Sequence, residues 1–363
     1  MKILFIQEFG DTFGGVQKLI TELALAIAAT GEHDVTLMVH RQDDEQYADL
    51  LRKNGVSLIN LGMNGRFSLL KAWRYITVAR RGNYDIIHTN HTIPQLIGAF
   101  IKPICRKNTH WVTTEHSVFG MRRNHKWFRR IDRRAYRAYD SVVSVSNTVQ
   151  QSLLEWLREE PGPRFRVVYN GIDTQRLLSA RPAIRHEMGF KEGDFVVLTI
   201  GRLCPEKDFS TFIRAMSLLP EQYKGVIVGD GDCRELLQRE AKEQHLEGRI
   251  LFTGARHDIG SLLKMANLYV STSTSEGFGL TVIEAAVCGI PVIASNIPAF
   301  RELLPEERLF TVGNAQQLKH LITTCGNAPL TGTDYASIFS LQAMTNHYLD
   351  IYNALIRREK RQE

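Results

Sequence analysis

Two periods of apolar residues exchange along this chain. Short runs rich in β-branched and aromatic residues alternate with longer stretches in which apolar positions recur every three or four residues. The short runs predict strands at Lys2–Ile6, Val35–Val39, Asp85–Thr89, His110–Thr114, Ser141–Val145 and Val167–Tyr169. A second series follows at Phe195–Ile200, Gly225–Val228, Ile250–Thr253, Leu268–Ser271, Val292–Ser295 and Leu309–Val312. The longer stretches predict helices, among them Val16–Ala29 and a terminal one over Leu341–Ile356, where Met344, Tyr348, Ile351, Tyr352 and Leu355 share a face. Strands and helices in such alternation build βαβ units and mainly parallel sheets.

Asn170–Gly193, with Pro182 and no strong strand, separates the two series and is the expected linker. The expected fold is therefore α/β, with two Rossmann-like, doubly wound parallel sheets: residues 1–172, then 173–339, and a C-terminal helix 340–358 that packs back on the first. Ligands bind at the carboxyl ends of such strands, so the two sets of strand ends are expected to face each other across an active-site cleft.

A chain of 363 residues has room for two cores, and 44% hydrophobic with 23% charged residues is ordinary globular composition, which excludes a disordered, collagen-like or disulfide-framework protein. The opening apolar run is too short for a signal peptide, and Glu8 follows at once. No run approaches the roughly 18 apolar residues a membrane span needs, so any membrane contact is expected to be peripheral. Five scattered cysteines (Cys105, Cys204, Cys233, Cys288, Cys325) form no close pair, which suits a reducing cytoplasm. A net charge of +6 and a pI near 9.0 suit a polyanion, an anionic membrane surface or a phosphorylated ligand without choosing among them.

The most informative stretch runs from Ser275 to Ala286, after one predicted strand and into a helix that should stop near Gly289. Gly277, Phe278, Gly279 and Leu280 read as a diphosphate cradle, because glycines admit close backbone approach and a helix start presents free N–H groups and a positive dipole end. Glu276 in the loop and Glu284 in the helix flank it, and a carboxylate accepts two hydroxyl protons of a ribose or hexose.

This segment resembles the glutamate-x7-glutamate signature of the retaining glycosyltransferases of family 4, which have the two-domain GT-B fold. Further matches fall in order along nearly the whole chain: Gly14-Gly15, Asp85-Ile86-Ile87-His88, Thr114-Glu115-His116, Val145-Ser146-Asn147, Asn170-Gly171-Ile172-Asp173, Gly201-Arg202 with Lys207, and Val228-Gly229-Asp230-Gly231. The resemblance implies that Arg202 and Lys207 stabilise the departing nucleotide diphosphate without a metal, and that His116 positions the donor sugar. It also puts Gly15 and Gly229 beside the donor. His88 and His91 are open between a structural role and acceptor contact. Asp230-Gly231-Asp232 reads as a turn rather than a metal motif, because no partnering ligands accompany it. Glu302 matches a family glutamate, whereas Pro298-Ala299-Phe300 stands where a glycine is common.

Arg122, Arg123, Lys126, Arg129, Arg130, Arg133, Arg134 and Arg137, with Trp127, Ile131 and Ala135 at every fourth position, predict a cationic amphipathic helix. Such a helix suits an anionic inner-membrane surface or a phosphorylated, lipid-linked acceptor; nucleic acid is disfavoured because no base-stacking platform accompanies the charge. The implied function is transfer of a hexose-type sugar from a nucleotide sugar, a UDP-sugar by preference, to a lipid-linked or lipopolysaccharide-type saccharide in envelope polysaccharide synthesis. No cofactor or metal is called for. The alternatives are a catalytically silent nucleotide-sugar-binding subunit, or a soluble sugar-phosphate synthase or epimerase on the same fold.

Overall fold

The computed structural model of the protein describes residues 1–10, 15–42, 44–63, 69–106, 108–118, 123, 125–325, 328, 330 and 333–359. Two compact units divide the chain: Met1–Gly171 with the segment from Leu341 onward, and Ile172–Ser340.

The first unit holds β1 (Lys2–Phe9), β2 (Asp34–Arg41), β3 (Ser57–Asn60), β4 (Ile86–Asn90), β5 (His110–Glu115), β6 (Ser141–Ser144) and β7 (Phe165–Val167). They pair in parallel in the order β3-β2-β1-β4-β5-β6-β7. Its helices are α1 (Gly15–Ala29), α2 (Glu45–Lys53), α3 (Leu69–Arg81), α4 (Thr92–Ile101), α5 (Phe128–Arg137) and α6 (Asn147–Leu157). Both faces of the sheet are covered, which is why β1 reads as a continuous apolar run: Ile3 and Phe5 join the core beneath α1, while Leu4 and Ile6 join the core beneath α3 to α6.

The second unit holds β8 (Phe195–Ile200), β9 (Tyr223–Val228), β10 (Ile250–Gly254), β11 (Leu268–Ser271), β12 (Val292–Ser295) and β13 (Leu309–Phe310), parallel in the order β10-β9-β8-β11-β12-β13. Its helices are α7 (Thr174–Ser179), α8 (Phe209–Ser217), α9 (Arg234–Glu243), α10 (Ile259–Met265), α11 (Leu280–Val287), α12 (Pro298–Arg301), α13 (Ala315–Cys325) and α14 (Tyr335–Ile338). Local chemistry sets several starts: the carboxylates of Asp173 and Asp208 and the hydroxyl of Ser146 accept N–H groups in the first turns of α7, α8 and α6.

The terminal helix, α15 (Leu341–Glu359), belongs to the first unit and buries Met344, Tyr348, Tyr352 and Leu355 in its core. A polar chain ties it there. His88 on β4 is fully enclosed, with Nδ1 2.7 Å from the Tyr352 hydroxyl and Nε2 2.7 Å from Thr114 Oγ1, which in turn lies 3.1 Å from the Tyr348 hydroxyl. The buried ring shuns a second proton, and its pKa falls to about 3.

The structure differs from the sequence reading at four places. β3 was not expected, because only Leu58 and Ile59 are apolar in a four-residue edge strand. β7 lies two residues earlier than Val167–Tyr169. The expected linker is folded into the second unit, with α7 within it, Ala183 N–H donating to Ser261 O at 2.9 Å, and Arg185 reaching Met265 O and Asn267. The cationic helix begins at Phe128, with Lys126 and Trp127 in a turn before it, and Arg122 of the expected span lies outside the described residues. Among the described residues no helix is long and apolar enough to cross a membrane.

Burial of His88 makes stability pH-dependent. The unfolded chain takes up a proton near pH 6.5 that folded His88 refuses until about pH 3, so stability falls as the pH drops below 6.5. At pH 5 the loss is about 2 kcal/mol, and His40, held at about 4 mainly by burial, adds a similar amount. Urea unfolding at pH 7 and pH 5 measures this; equal stabilities would contradict the burial of both rings.

Candidate active site

In the second sheet β8 neighbours both β9 and β11, so the chain leaves β8 and β11 in opposite directions and the loops that follow them part at the carboxyl edge. These are residues 201–208 and 272–279, and they carry Arg202, Lys207, Glu276, Gly277, Phe278 and Gly279. Thr272 Oγ1 donates to Lys207 O at 2.8 Å, and Thr274 N–H donates to Glu206 O at 2.8 Å, which fastens one loop to the other. Across this seam the Lys207 ammonium forms a close ion pair with the Glu276 carboxylate, and Ser273 Oγ donates to the same Glu276 Oε1 at 2.8 Å. Both side chains are largely enclosed, so the pair is worth more than one on open surface.

A third loop supports the first. Gly229 (φ 135°) lies so close that a Cβ there would sit 1.9 Å from Gly201 O, and one on Gly231 (φ 156°) would sit 2.5 Å from Leu203 O. Leu203 N–H donates to Asp230 O at 2.9 Å and Cys233 N–H to Leu203 O at 3.0 Å. Only glycine combines that backbone angle with that approach. Gly279 (φ 111°) caps α11, and there a Cβ would meet the Phe300 ring at 2.7 Å.

Glu276 and Glu284 come to one neighbourhood: both negative charges act on the Tyr269 hydroxyl, whose pKa is raised first by burial and which donates to Thr281 Oγ1 at 2.7 Å. Gly277 and Phe278 lie on the same loop, Leu280 starts α11, and Phe278 packs edge-on against Phe339. Arg202 stands outside this knot. Its side chain is 71% exposed and 3.7 Å from Asp232, itself 91% exposed, so the two cations are not drawn together. Asp230 is engaged with Gly231 N–H and Arg234, and among the described residues no three His, Cys, Asp or Glu side chains form a metal-binding group.

The first unit presents a second such edge between β1 and β4. His116 follows β5 with Nε2 3.2 Å from Asn90 Oδ1 and its ring 6.3 Å from that of His91. Burial, then the neighbouring His91 and His88, hold it neutral well below the ordinary histidine range. His91 caps α4 at φ 70°, a strained angle for a residue with a side chain. His88 resolves to its structural alternative: sealed in the core with both nitrogens bonded, it offers nothing to a ligand. Gly15 opens α1, where a Cβ would meet no atom within 4 Å. Arg123 turns inward, with Nη1 bonded to Val118 O and Ser152 Oγ and Nη2 3.6 Å from Glu115, which corrects its assignment to an acceptor or membrane surface. Lys126 and Arg130 are exposed, whereas Arg122 and Gly14 lie outside the described residues.

Sequence reasoning passed over Ser273 and Thr272, which fasten the second-unit site, although a run of serine and threonine before the glycine loop signals them. It also passed over a charged cluster in the first unit. Lys71 is 1% exposed with its pKa lowered by burial and supported by the Glu8 carboxylate, and Glu8 accepts Ile93 N–H at 3.2 Å. Glu8 and His40 were findable as polar residues at strand ends; a lysine on a basic helix gives no such signal.

Two family models match the chain: Glycosyltransferase Family 4 over residues 13–176 and Glycosyl transferases group 1 over residues 180–328. An N-acetyl-alpha-D-glucosaminyl L-malate synthase of Bacillus anthracis is 28% identical over 66% of this chain, and the match spans 63% of that relative's length, less than two thirds. The O-antigen biosynthesis glycosyltransferase WclY of Escherichia coli is 26% identical over 76% of this chain and 80% of its own. The crystal structure of Anabaena Alr3699/HepE in complex with UDP-glucose superposes with a TM-score of 0.82 at 23% identity, covering 98% of this chain and 100% of the other, and shows the GT-B fold.

Gly229→Ala tests the seam directly. Its Cβ meets a backbone carbonyl rather than a yielding side chain, so the variant is expected to lose about 2–4 kcal/mol of stability in denaturant unfolding. A loss under 1 kcal/mol would show that the loops are not closed as described.

Proposed function

Because the chain belongs to the glycosyltransferase group 1 / family 4 enzymes, we propose that it transfers a hexose-type sugar from a nucleotide sugar to a saccharide acceptor. The observation that carries this reading is the Lys207–Glu276 pair, fixed at the switch point of the second sheet and flanked by the glycine loop that starts α11. Lys207 supplies charge to the leaving diphosphate, and Arg202, exposed and only loosely paired, swings in to join it. Fixed cations of this kind lower the barrier to breaking the sugar–phosphate bond. The N–H groups at Gly277 to Leu280 cradle the diphosphate, Gly229 keeps its loop close, and Glu276 and Glu284 accept hydroxyl protons of the sugar and ribose. His116, neutral at physiological pH, orients the donor sugar by hydrogen bonding rather than by proton transfer.

The family implies retention of configuration, by front-face transfer assisted by the leaving phosphate. The first unit takes the acceptor, with His91 beside it. The donor is a UDP-sugar by preference, a choice supported by the UDP-glucose in the Anabaena structure. The acceptor is lipid-linked or of lipopolysaccharide type, in envelope polysaccharide synthesis, and the enzyme works peripherally at the inner face of the cytoplasmic membrane. The cationic helix and the likeness to an O-antigen glycosyltransferase support that pathway. A soluble acceptor is the second reading, favoured by the likeness to an L-malate synthase.

Purified protein incubated in EDTA with UDP-, GDP- and ADP-sugars and bacterial lipid extract is expected to release one nucleotide and label the lipid fraction. Lys207→Ala should slow that release by about 10²–10³-fold, as removal of a transition-state donor does. Binding of nucleotide without release from any donor would instead mark a silent binding subunit.

A further inference from the structure

Charge in this protein is concentrated in one stretch. Fifteen lysines and arginines but only three acids fall between Leu69 and Arg137, a net charge of +12 in a chain that totals +6, so all the rest sums to −6. The three acids do not offset the surface charge. Asp85 accepts Lys2 N–H at 2.7 Å, Glu115 holds Arg123 and the Tyr136 hydroxyl, and Asp132 is buried, accepting the Trp156 indole N–H at 2.9 Å. From neighbouring segments, Asp140 neutralises Lys102 and Glu159 pairs with Arg133 and Arg137. Arg80, Arg81, Arg106, Lys126, Arg130 and Arg134 are left exposed.

The same stretch supplies α3, α4 and α5, which lie side by side on one face of the first sheet and turn Ala72, Tyr75, Ile97 and Tyr136 into its core. Their outward faces are not simply polar. Six of the 14 large hydrophobic side chains exposed among the described residues lie here, including both exposed tryptophans: Trp73 on α3 (60%), Phe100 on α4 (66%), Ile104 just beyond it, and Trp127 (62%) with Ile131 at α5. Single exposed apolar residues need no explanation, but a set spread over three adjacent helices and framed by arginine and lysine does.

We propose that the joint outer face of α3, α4 and α5 is a docking surface for an anionic lipid bilayer, with Trp73 and Phe100 inserting beside Trp127. A bilayer fits both halves of the pattern. Its anionic headgroups attract the cations, whose aliphatic stems reach past the apolar residues, and its interfacial zone receives indole and phenyl rings. The rest of the chain, at a net −6, gains no such attraction, so the electrostatic pull is confined to this stretch. This deepens the membrane partner proposed above and rests on it, but it extends the contact from one helix to three.

The tryptophans provide the test, because Trp111 is buried and Trp156 is held by Asp132, leaving Trp73 and Trp127 as the exposed reporters. Full-length Trp127→Phe and Trp73→Phe are titrated with phosphatidylglycerol-containing vesicles and with neutral phosphatidylcholine vesicles. The expected result is a blue shift, quenched by brominated lipid, in both variants with the anionic vesicles, and binding weaker by at least about ten-fold with the neutral ones. The double variant Arg130→Glu/Arg134→Glu should lose binding to a similar degree. A shift in Trp73→Phe but none in Trp127→Phe would overturn the three-helix face while sparing the membrane reading. No binding of wild-type protein to anionic vesicles would overturn both. Vesicle binding abolished by a structured RNA, with no shift of Trp73, would assign the surface to nucleic acid instead and overturn the proposal.

Discussion

The near-contact between Gly229 and the Gly201 carbonyl is the constraint on which the second unit's ligand edge depends. A parallel sheet delivers its loops to one edge but does not fix where their side chains go. Here the loop after β9 presses on the loop after β8 from behind, and Thr272 and Thr274 grip it from the β11 side. Held between them, Lys207 has few places to put its ammonium, and Glu276 is the one provided. The position of one cation is thus determined by backbone packing on the neighbouring strand's loop.

The two sheets handle charge at their switch points in a similar way. In the second unit Lys207 pairs directly with Glu276 from another loop; in the first the Glu8 carboxylate favours the charge of buried Lys71 against the cost of its burial. Enclosed charges are costly unless compensated, so Glu276 cannot be removed without stranding Lys207. The histidines nearby solve the same problem by staying neutral: His40, His88 and His116 are all driven below the ordinary range by burial. The first unit therefore carries a dense polar interior with little net charge, while its outer helices carry nearly all the excess.

Much of the architecture was legible because buried parallel strands must be apolar on both faces, and Ile3 to Ile6 cannot be read otherwise. β3 escaped notice because an edge strand with two apolar residues looks like a loop. The glycine loop and Glu276 were legible through spacing, since backbone approach demands glycine whatever surrounds it. His88 was undecidable, because the tyrosines that enclose it come from the far end of the chain. Arg123 was misread for a related reason: charge shows in a sequence, but the direction of a side chain depends on partners such as Val118 O and Ser152 Oγ, the latter on α6. Trp73 and Phe100 were overlooked because each sits alone in its own segment, and only the packing of α3 against α4 makes those segments neighbours.

The return of α15 to the first unit has a consequence during synthesis. The ribosome releases the seven strands of that unit first, but the core around β1 and β4 lacks Met344, Tyr348 and Tyr352, and His88 has Thr114 without Tyr352, until α15 emerges. By then every residue of the second unit has already left the exit tunnel and is free to fold as a block. The domain made first is thus the domain finished last: a chain cut before Leu341 has every residue of the second unit but leaves the first one open.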